Sequence, residues 1–291
     1  MGERARRERA GAVIQAAIAT SVERFRVHEP GVLVGREPEA VHQARVATRR
    51  LRSDLRTFRR FLDAEQVAEC RTELRWLGAE LGAVRDAEVL TERLRRHAAE
   101  VPDDQLLSLE IGFARLERRW IDARADLLEA MHSARYDALL ARLTSWHDAP
   151  PLHDRADRRA LDVLPALVER PWKELAGAVR ALDTEPADHE LHAVRILAKR
   201  ARYATEAVAA VTGRPMARLA KKMTELQDVL GEHQDAVVAQ AWLVKVAADA
   251  SPAQAYAAGM LAAVEHASAR RARHAFPAAW KRARRAHRAL R

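Results

Sequence analysis

Two stretches of the chain set a histidine ahead of basic residues at helical spacing. They are "VHQARVATRRLR" at 41–52 and "LHAVRILAKRAR" at 191–202. In the first, His42, Arg45, Arg49, Arg52 and Arg56 step by three and four, which places them on one helix face. In the second, His192, Arg195, Lys199 and Arg202 repeat the stripe, and Arg50 and Arg200 stand beside the two rows. Between 41 and 60 there are seven arginines and one acid, Asp54; from 191 to 205 there is no acid. Like charges about 4 Å apart repel by roughly 1 kcal/mol in water and about 4 kcal/mol at an effective dielectric of 20. Two such rows therefore call for an outside anion. Guanidinium takes phosphate in a two-pronged hydrogen-bonded fork, and a protonated histidine adds a donor at lower pH. A solvated face looks different: in "LERRWIDARADLLE" (116–129) acids and bases interleave.

The helices that must hold these rows are legible in the apolar positions. Val41, Thr48, Leu51, Leu55, Phe58 and Leu62 lie beside the first stripe, and Leu191, Val194, Leu197 or Ala198, and Ala201 beside the second, so one flank packs while the next presents charge. Ala, Leu, Arg and Glu dominate, Gly and Pro number 11 each, and strand-type alternation is nearly missing. The pattern predicts an all-α protein. Breaks are expected at 28–39, 101–104, 147–157, 182–190, 211–215 and 249–252, leaving antiparallel helices of about 15 to 30 residues.

The second stripe follows the first at a fixed distance. His192 lies 150 positions after His42, and "LGEHQDAVV" (230–238) matches "LGAVRDAEV" (81–89) with Gly231 lying 149 positions after Gly82. Two motifs in one order at nearly one spacing predict an internal duplication, with halves 1–150 and 151–291 meeting at Pro150–Pro151. Gly82 and Gly231 read as helix C-termini, with Asp86 and Asp235 as caps or as groups that orient basic side chains. Arg85, Lys221 and Lys222 are weaker candidates for the same basic site.

The pattern H-x-x-R-x-x-x-[RK]-R-x-R, given by His42 to Arg52 and again by His192 to Arg202 with its L-G-x-x-x-D-A partners, resembles the duplicated signature of the CHAD family, the conserved histidine α-helical domain. The resemblance covers roughly residues 8–288. It implies two pseudo-symmetric four-helix bundles around a basic central pore or groove, non-catalytic binding of inorganic polyphosphate, and possible association with polyphosphate granules. The positions it carries over are His42, Arg45, Arg49, Arg50, Arg52, His192, Arg195, Lys199, Arg200 and Arg202. Arg56 joins by spacing alone, and its counterpart Glu206 breaks the symmetry.

Other chemistry finds less support. The formal charge is +9 and the pI about 10.3, which suits polyanions in general. Nucleic acid is the rival ligand, but aromatics make up only 5% of the chain and the basic helices offer just Phe58, Phe61 and Tyr203 for stacking. The 12 histidines include no H-x-x-x-H with a partnering acid, and His233 has only Glu232 and Asp235 beside it, so no metal or cofactor is expected. Neither stripe carries the paired carboxylates of a phosphohydrolase, and there is no glycine-rich phosphate loop. One cysteine, no leader-like start and no apolar run near 20 residues predict a cytoplasmic protein without a membrane span.

Overall fold

The computed structural model describes residues 8–35 and 38–290, and it is all-helical. Among the described residues the α-helices are α1 (Ala10–Val34), α2 (Pro38–Thr57), α3 (Ala64–Ala98), α4 (Asp103–Met131), α5 (Ala134–Asp148), α6 (Ala160–Val163), α7 (Glu169–Arg180), α8 (Asp188–Thr212), α9 (Arg214–Ala248) and α10 (Pro252–Arg288). Short 3-10 turns at Asp154–Asp157 and Pro165–Val168 join the two stretches of long helices. Extended pairing among the described residues is confined to two single bridges, Arg9 with Arg159 and Leu62 with Leu152.

Local chemistry sets several of the helix ends. Asp63 accepts from the Gln66 amide at 2.9 Å to start α3, and Ser251 with Gln254 forms a reciprocal cap ahead of Pro252 at α10. Gly213 stops α8 at φ 79°, a left-handed value that suits glycine. The first expected break, at 28–39, falls late. α1 runs through Pro30 to Val34 and ends at Gly35, φ 75°. Proline removes one backbone donor, yet Val32 is fully buried and Arg124 donates to the Val32 carbonyl at 2.9 Å, so packing and a long-range cap carry the helix past it.

Gly82 and Gly231 also depart from expectation, since both lie inside long helices rather than at their ends. Glycine in a helix interior costs about 1 kcal/mol relative to alanine. Buried Leu81 and Val84 beside one, and Leu230 and His233 beside the other, hold each helix through its glycine. Asp86 and Asp235 are therefore not caps.

The apolar flanks pack as the periodicity predicts. Val41, Thr48, Leu51, Leu55, Phe58 and Leu62 are all buried, as are Leu191, Val194, Ala198 and Ala201, while Leu197 is half-buried against the same core. Burying a large aliphatic or aromatic side chain contributes about 1.5–3 kcal/mol, so these rows fix the rotation of α2 and α8 and thereby aim their cationic flanks. The interleaved helix α4 behaves as a solvated face, with Leu116, Ala123 and Leu127 inside and Glu117, Arg118 and Asp122 exposed.

α2 packs between α1, α3 and α8; α8 packs on α2, α7 and α9; α9 and α10 lie along one another. One apolar cluster runs through residues on both sides of Pro150–Pro151, and a smaller one joins the ends of α3, α4, α9 and α10. Beside the smaller cluster sits a buried ionic knot. Arg93 of α3 donates through Nε to Glu265 of α10 at 2.7 Å and through both terminal nitrogens to Glu232 of α9 at 3.1 and 2.7 Å, while His97 Nδ1 lies 2.8 Å from Glu265. Glu265 is fully buried and Arg93 nearly so.

Candidate functional site

Because α2 and α8 pack directly together, the two stripes meet. Arg45 and Arg49 of α2 stand close enough to Arg195 and Lys199 of α8 to shift them. Burial comes first for Lys199, followed by the fields of Arg195, Arg49 and Arg45; with Asp235 opposing, its ammonium is pulled down to about 8. Arg195 is likewise held below its ordinary value, by burial above all, with Asp235 opposing and Arg49 and Arg45 adding. His42 is depressed by burial and then by Arg85, so it rests neutral at pH 7 and gains a proton only when an anion or acid supplies the driving force. Asp235 is pushed up by burial against the pull of Arg195. Arg49 and Arg195 each carry a buried Nε with no hydrogen-bond partner among the described residues.

The stripes are not wholly free of internal counterions, and this corrects the expectation from sequence. Arg45 donates to the Gly82 carbonyl at 3.2 Å and to Asp86 at 2.7 Å, which is the orienting role considered for Asp86. Arg50 turns off the row to buried Asp54 at 3.1 Å and to Glu206, which also takes Arg202 at 3.0 Å. Burial lifts Asp54 to about 7 despite Arg50. Glu206 thus holds one cation from α2 and one from α8. Arg49, Arg52, Arg56, Arg195, Lys199 and Arg200 have no carboxylate within ion-pair distance among the described residues.

A second grouping lies toward the C-terminal end of α2. Arg56, Arg59, Arg60, Arg71, Arg170 and Arg200 line a cavity of about 330 Å³ with Tyr203 and one acid, Glu174. Glu174 already accepts from Arg170 at 2.8 Å. Burial, then Arg71, Arg200, Arg52 and Arg59, brings Arg56 down to about 10, so it stays charged at neutral pH. Arg52 and Arg71 are lowered by burial and by Arg75. Sequence reading missed Arg59, Arg60, Arg71, Arg75 and Arg170 as site residues. Arg71 and Arg75 step by four on α3, but Glu69 and Glu73 between and before them mimic a solvated face, and Arg170 lies on α7, far away along the chain.

Tyr203 stands between the two groupings. It is 5% exposed, with the guanidinium carbons of Arg202, Arg50 and Arg49 at 4.9, 5.8 and 5.9 Å from its ring centre. These are cation–π distances. Phe58 and Phe61 are buried too, so none of the three aromatics anticipated on the basic helices offers a face for a base to stack on.

The remaining candidates are peripheral. His192 is exposed and bonds Gln234 of α9. Arg85 pairs with Glu88 at 3.1 Å while its charge still reaches His42. Lys221 is exposed, and Lys222 pairs with Glu225, which also takes Arg282 of α10; these contacts point away from α2 and α8. His233 is buried with Nε2 3.1 Å from Asp188, whose other partner is Arg273. Among the described residues no group of three or more His, Cys, Asp or Glu is placed to hold a metal ion, and no helix is long and apolar enough to cross a membrane. Cys70 is buried with its thiol pushed up to about 12, which leaves it unreactive.

Lys199 yields a pH prediction. Below pH 8 it is charged with or without ligand, whereas above 8 the free site loses the proton and an incoming anion must restore it. Affinity for a polyanion is therefore expected to fall as pH rises from about 8 to 10, with proton uptake on binding, and Lys199→Arg should flatten the profile. Calorimetry at pH 7, 8 and 9 in buffers of differing ionisation heat checks this. A wild-type profile no steeper than that of Lys199→Arg counts against it.

The family model for the CHAD domain matches residues 16–244. Two Mycobacterium tuberculosis proteins, the uncharacterized protein MT2285 (strain CDC 1551 / Oshkosh) and the uncharacterized protein Rv2226 (strain ATCC 25618 / H37Rv), are each 31% identical over 254 residues, covering 84% of this chain and 48% of theirs. The chain spans about half the length of the curated relatives it matches. Among solved structures, PptA from Streptomyces chartreusis superposes with a TM-score of 0.78 at 26% identity, covering 94% of this chain and 100% of that one. The CHAD domain from the plant Ricinus communis superposes at 0.71 and 27% identity, with 93% of each chain covered.

Proposed function

The chain belongs to the CHAD domain family, and on that footing we propose that it binds inorganic polyphosphate and does no chemistry on it. The observation that carries this reading is the meeting of Arg45, Arg49, Arg195 and Lys199 at the α2–α8 contact, three of them without a carboxylate partner among the described residues. Such crowding is unfavourable in the empty protein and is relieved by an anion that brings several charges at short intervals. In polyphosphate a single bridging oxygen separates successive phosphates, so one chain can answer cations from both helices at once. Each hydrogen bond to a charged group contributes about 1.5–3 kcal/mol, and the guanidinium fork suits a phosphoryl edge.

The two stripes are read as the halves of a duplicated unit, residues 1–150 and 151–291, facing a shared basic groove. Residence in the cytoplasm and association with polyphosphate granules are part of the same proposal. The burial of Phe58, Phe61 and Tyr203 argues against base stacking and so against single-stranded nucleic acid as the preferred partner.

Competition tests the assignment. At fixed ionic strength, long-chain polyphosphate should displace labelled single-stranded DNA of equal phosphate count at a concentration at least about tenfold lower than unlabelled DNA does, a difference of ~1.4 kcal/mol. Both should weaken with added salt. DNA competing as well as polyphosphate would transfer the site to phosphodiester backbones in general.

A further inference from the structure

The arginine cavity at the end of α2 differs in kind from the meeting of the stripes. It is walled by residues of α2, α3, α7 and α8 and opens to solvent where Arg59, Arg60, Arg170 and Arg200 are exposed, and its six guanidiniums face one carboxylate that is already paired. Its other wall is apolar, made of Ala166, Leu167 and Pro171. At about 330 Å³ it has room for roughly ten waters at their share of liquid volume, hence for a short oligophosphate with some of its hydration. Tyr203 lines it, and the tyrosine hydroxyl is buried with no hydrogen-bond partner among the described residues. A buried hydroxyl left unpaired is costly unless something occupies the cavity and bonds to it.

We propose that this cavity takes a terminal phosphoryl group, the doubly charged end of a phosphate chain or free orthophosphate, with Arg56, Arg71 and Arg200 around it and the Tyr203 hydroxyl donating to one of its oxygens. An internal phosphate of a chain carries one negative charge. A terminal one has a second ionisation near pH 6 and so approaches two charges at neutral pH, which suits a cavity lined by six arginines and one already paired carboxylate. Arg56 belongs both to the first stripe and to this cavity, so a chain laid along the stripe can bring its end here. The inference rests on the polyphosphate reading for its long-chain form, while the cavity's own preference can be measured without it.

The experiment compares linear tripolyphosphate, which has two ends, with cyclic tetrametaphosphate, which has similar charge and none, by calorimetry at pH 7.5. Linear tripolyphosphate should bind about tenfold more tightly or better. Arg71→Gln should remove most of that preference, and Tyr203→Phe, which deletes only an unpaired hydroxyl and keeps the ring beneath the guanidiniums, should lower linear affinity several-fold. Arg45→Glu with Arg195→Glu should leave the line-over-ring preference in place. Orthophosphate binding as tightly as tripolyphosphate would assign the cavity to the free ion, whereas a gain on lengthening would assign it to chain ends, and both carry the terminal group. Equal affinity for ring and line, or a preference that survives both Arg71→Gln and Tyr203→Phe, overturns the proposal. Failure of wild type to bind long chains while still choosing line over ring would sink the polyphosphate reading and spare the cavity.

Discussion

Arg45→Glu combined with Arg195→Glu lowers affinity for long-chain polyphosphate by more than about a hundredfold, while the far-ultraviolet circular dichroism keeps its helical amplitude. Each substitution removes a charge-assisted contact of about 1.5–3 kcal/mol and adds a repulsion, so the pair removes at least about 3 kcal/mol, or two decades. One reversal falls on each helix of the α2–α8 contact, so both stripes are struck together. Arg45 is 28% exposed and its partner Asp86 60%, so a glutamate there can turn to water. At Arg195 the new carboxylate meets half-buried Asp235, and a milder Arg195→Gln serves as the companion if the double variant loses stability. The control is Arg118→Glu with Arg119→Glu on the exposed face of α4, which changes net charge by the same amount. The control should stay within a few-fold of wild type. If it matched the stripe variant, affinity would reflect overall charge alone; if the folded stripe variant bound normally, the site would lie elsewhere.

Arg93→Met is expected to cost about 3–5 kcal/mol of stability, read as a drop in the urea midpoint. The guanidinium is the shared partner of Glu265, which is fully buried, and of Glu232, and it ties α3 to α9 and α10. Removing Arg93 leaves buried Glu265 with the His97 ring in place of a permanent cation, and breaking a buried ionic group in this way is far more harmful than never having built it. For the same reason Arg93→Met with Glu265→Leu should recover a large part of the loss. The pH dependence follows. Glu232 is held below the usual carboxylate range, first by the hydrogen bond from Arg93 and against burial. The stability this provides is present at neutral pH and is lost as acid protonates the carboxylate through its lowered folded-state value. Arg93→Met should shrink that acid-side slope. A change below about 1 kcal/mol would mean that the knot relaxes into water when it is broken.

Much of this molecule was readable one helix at a time. Val41, Leu51, Leu55 and Phe58 recur at helical spacing, and every one of them is buried. The flank that follows, from His42 to Arg56, is therefore aimed by the same packing that buries its neighbours. Acid-free runs beside acid-rich ones separated the α2 and α8 flanks from the solvated face of α4. What misled were residues whose usual roles yield to context. Pro30 did not end α1, because Val32 and Arg124 hold the last turn, and Gly82 did not end α3, because apolar residues on either side of it are buried.

The pairing of charges lay beyond any single helix. Glu206 looked like a defect in the repeat, and in three dimensions it is the shared counterion of Arg50 and Arg202. Arg71 and Arg170 lay among acids in the sequence, and the fold turns them into one cavity with Arg56 and Arg200. The amino-acid order alone determined an all-helical chain and the two cationic rows, because side-chain periodicity follows from the helix's own geometry. Which rows meet, which cations an acid has already claimed and where arginines gather around one cavity were decided only when α2, α3, α7 and α8 came together, because electrostatic energy depends on distance through space and not on separation along the chain.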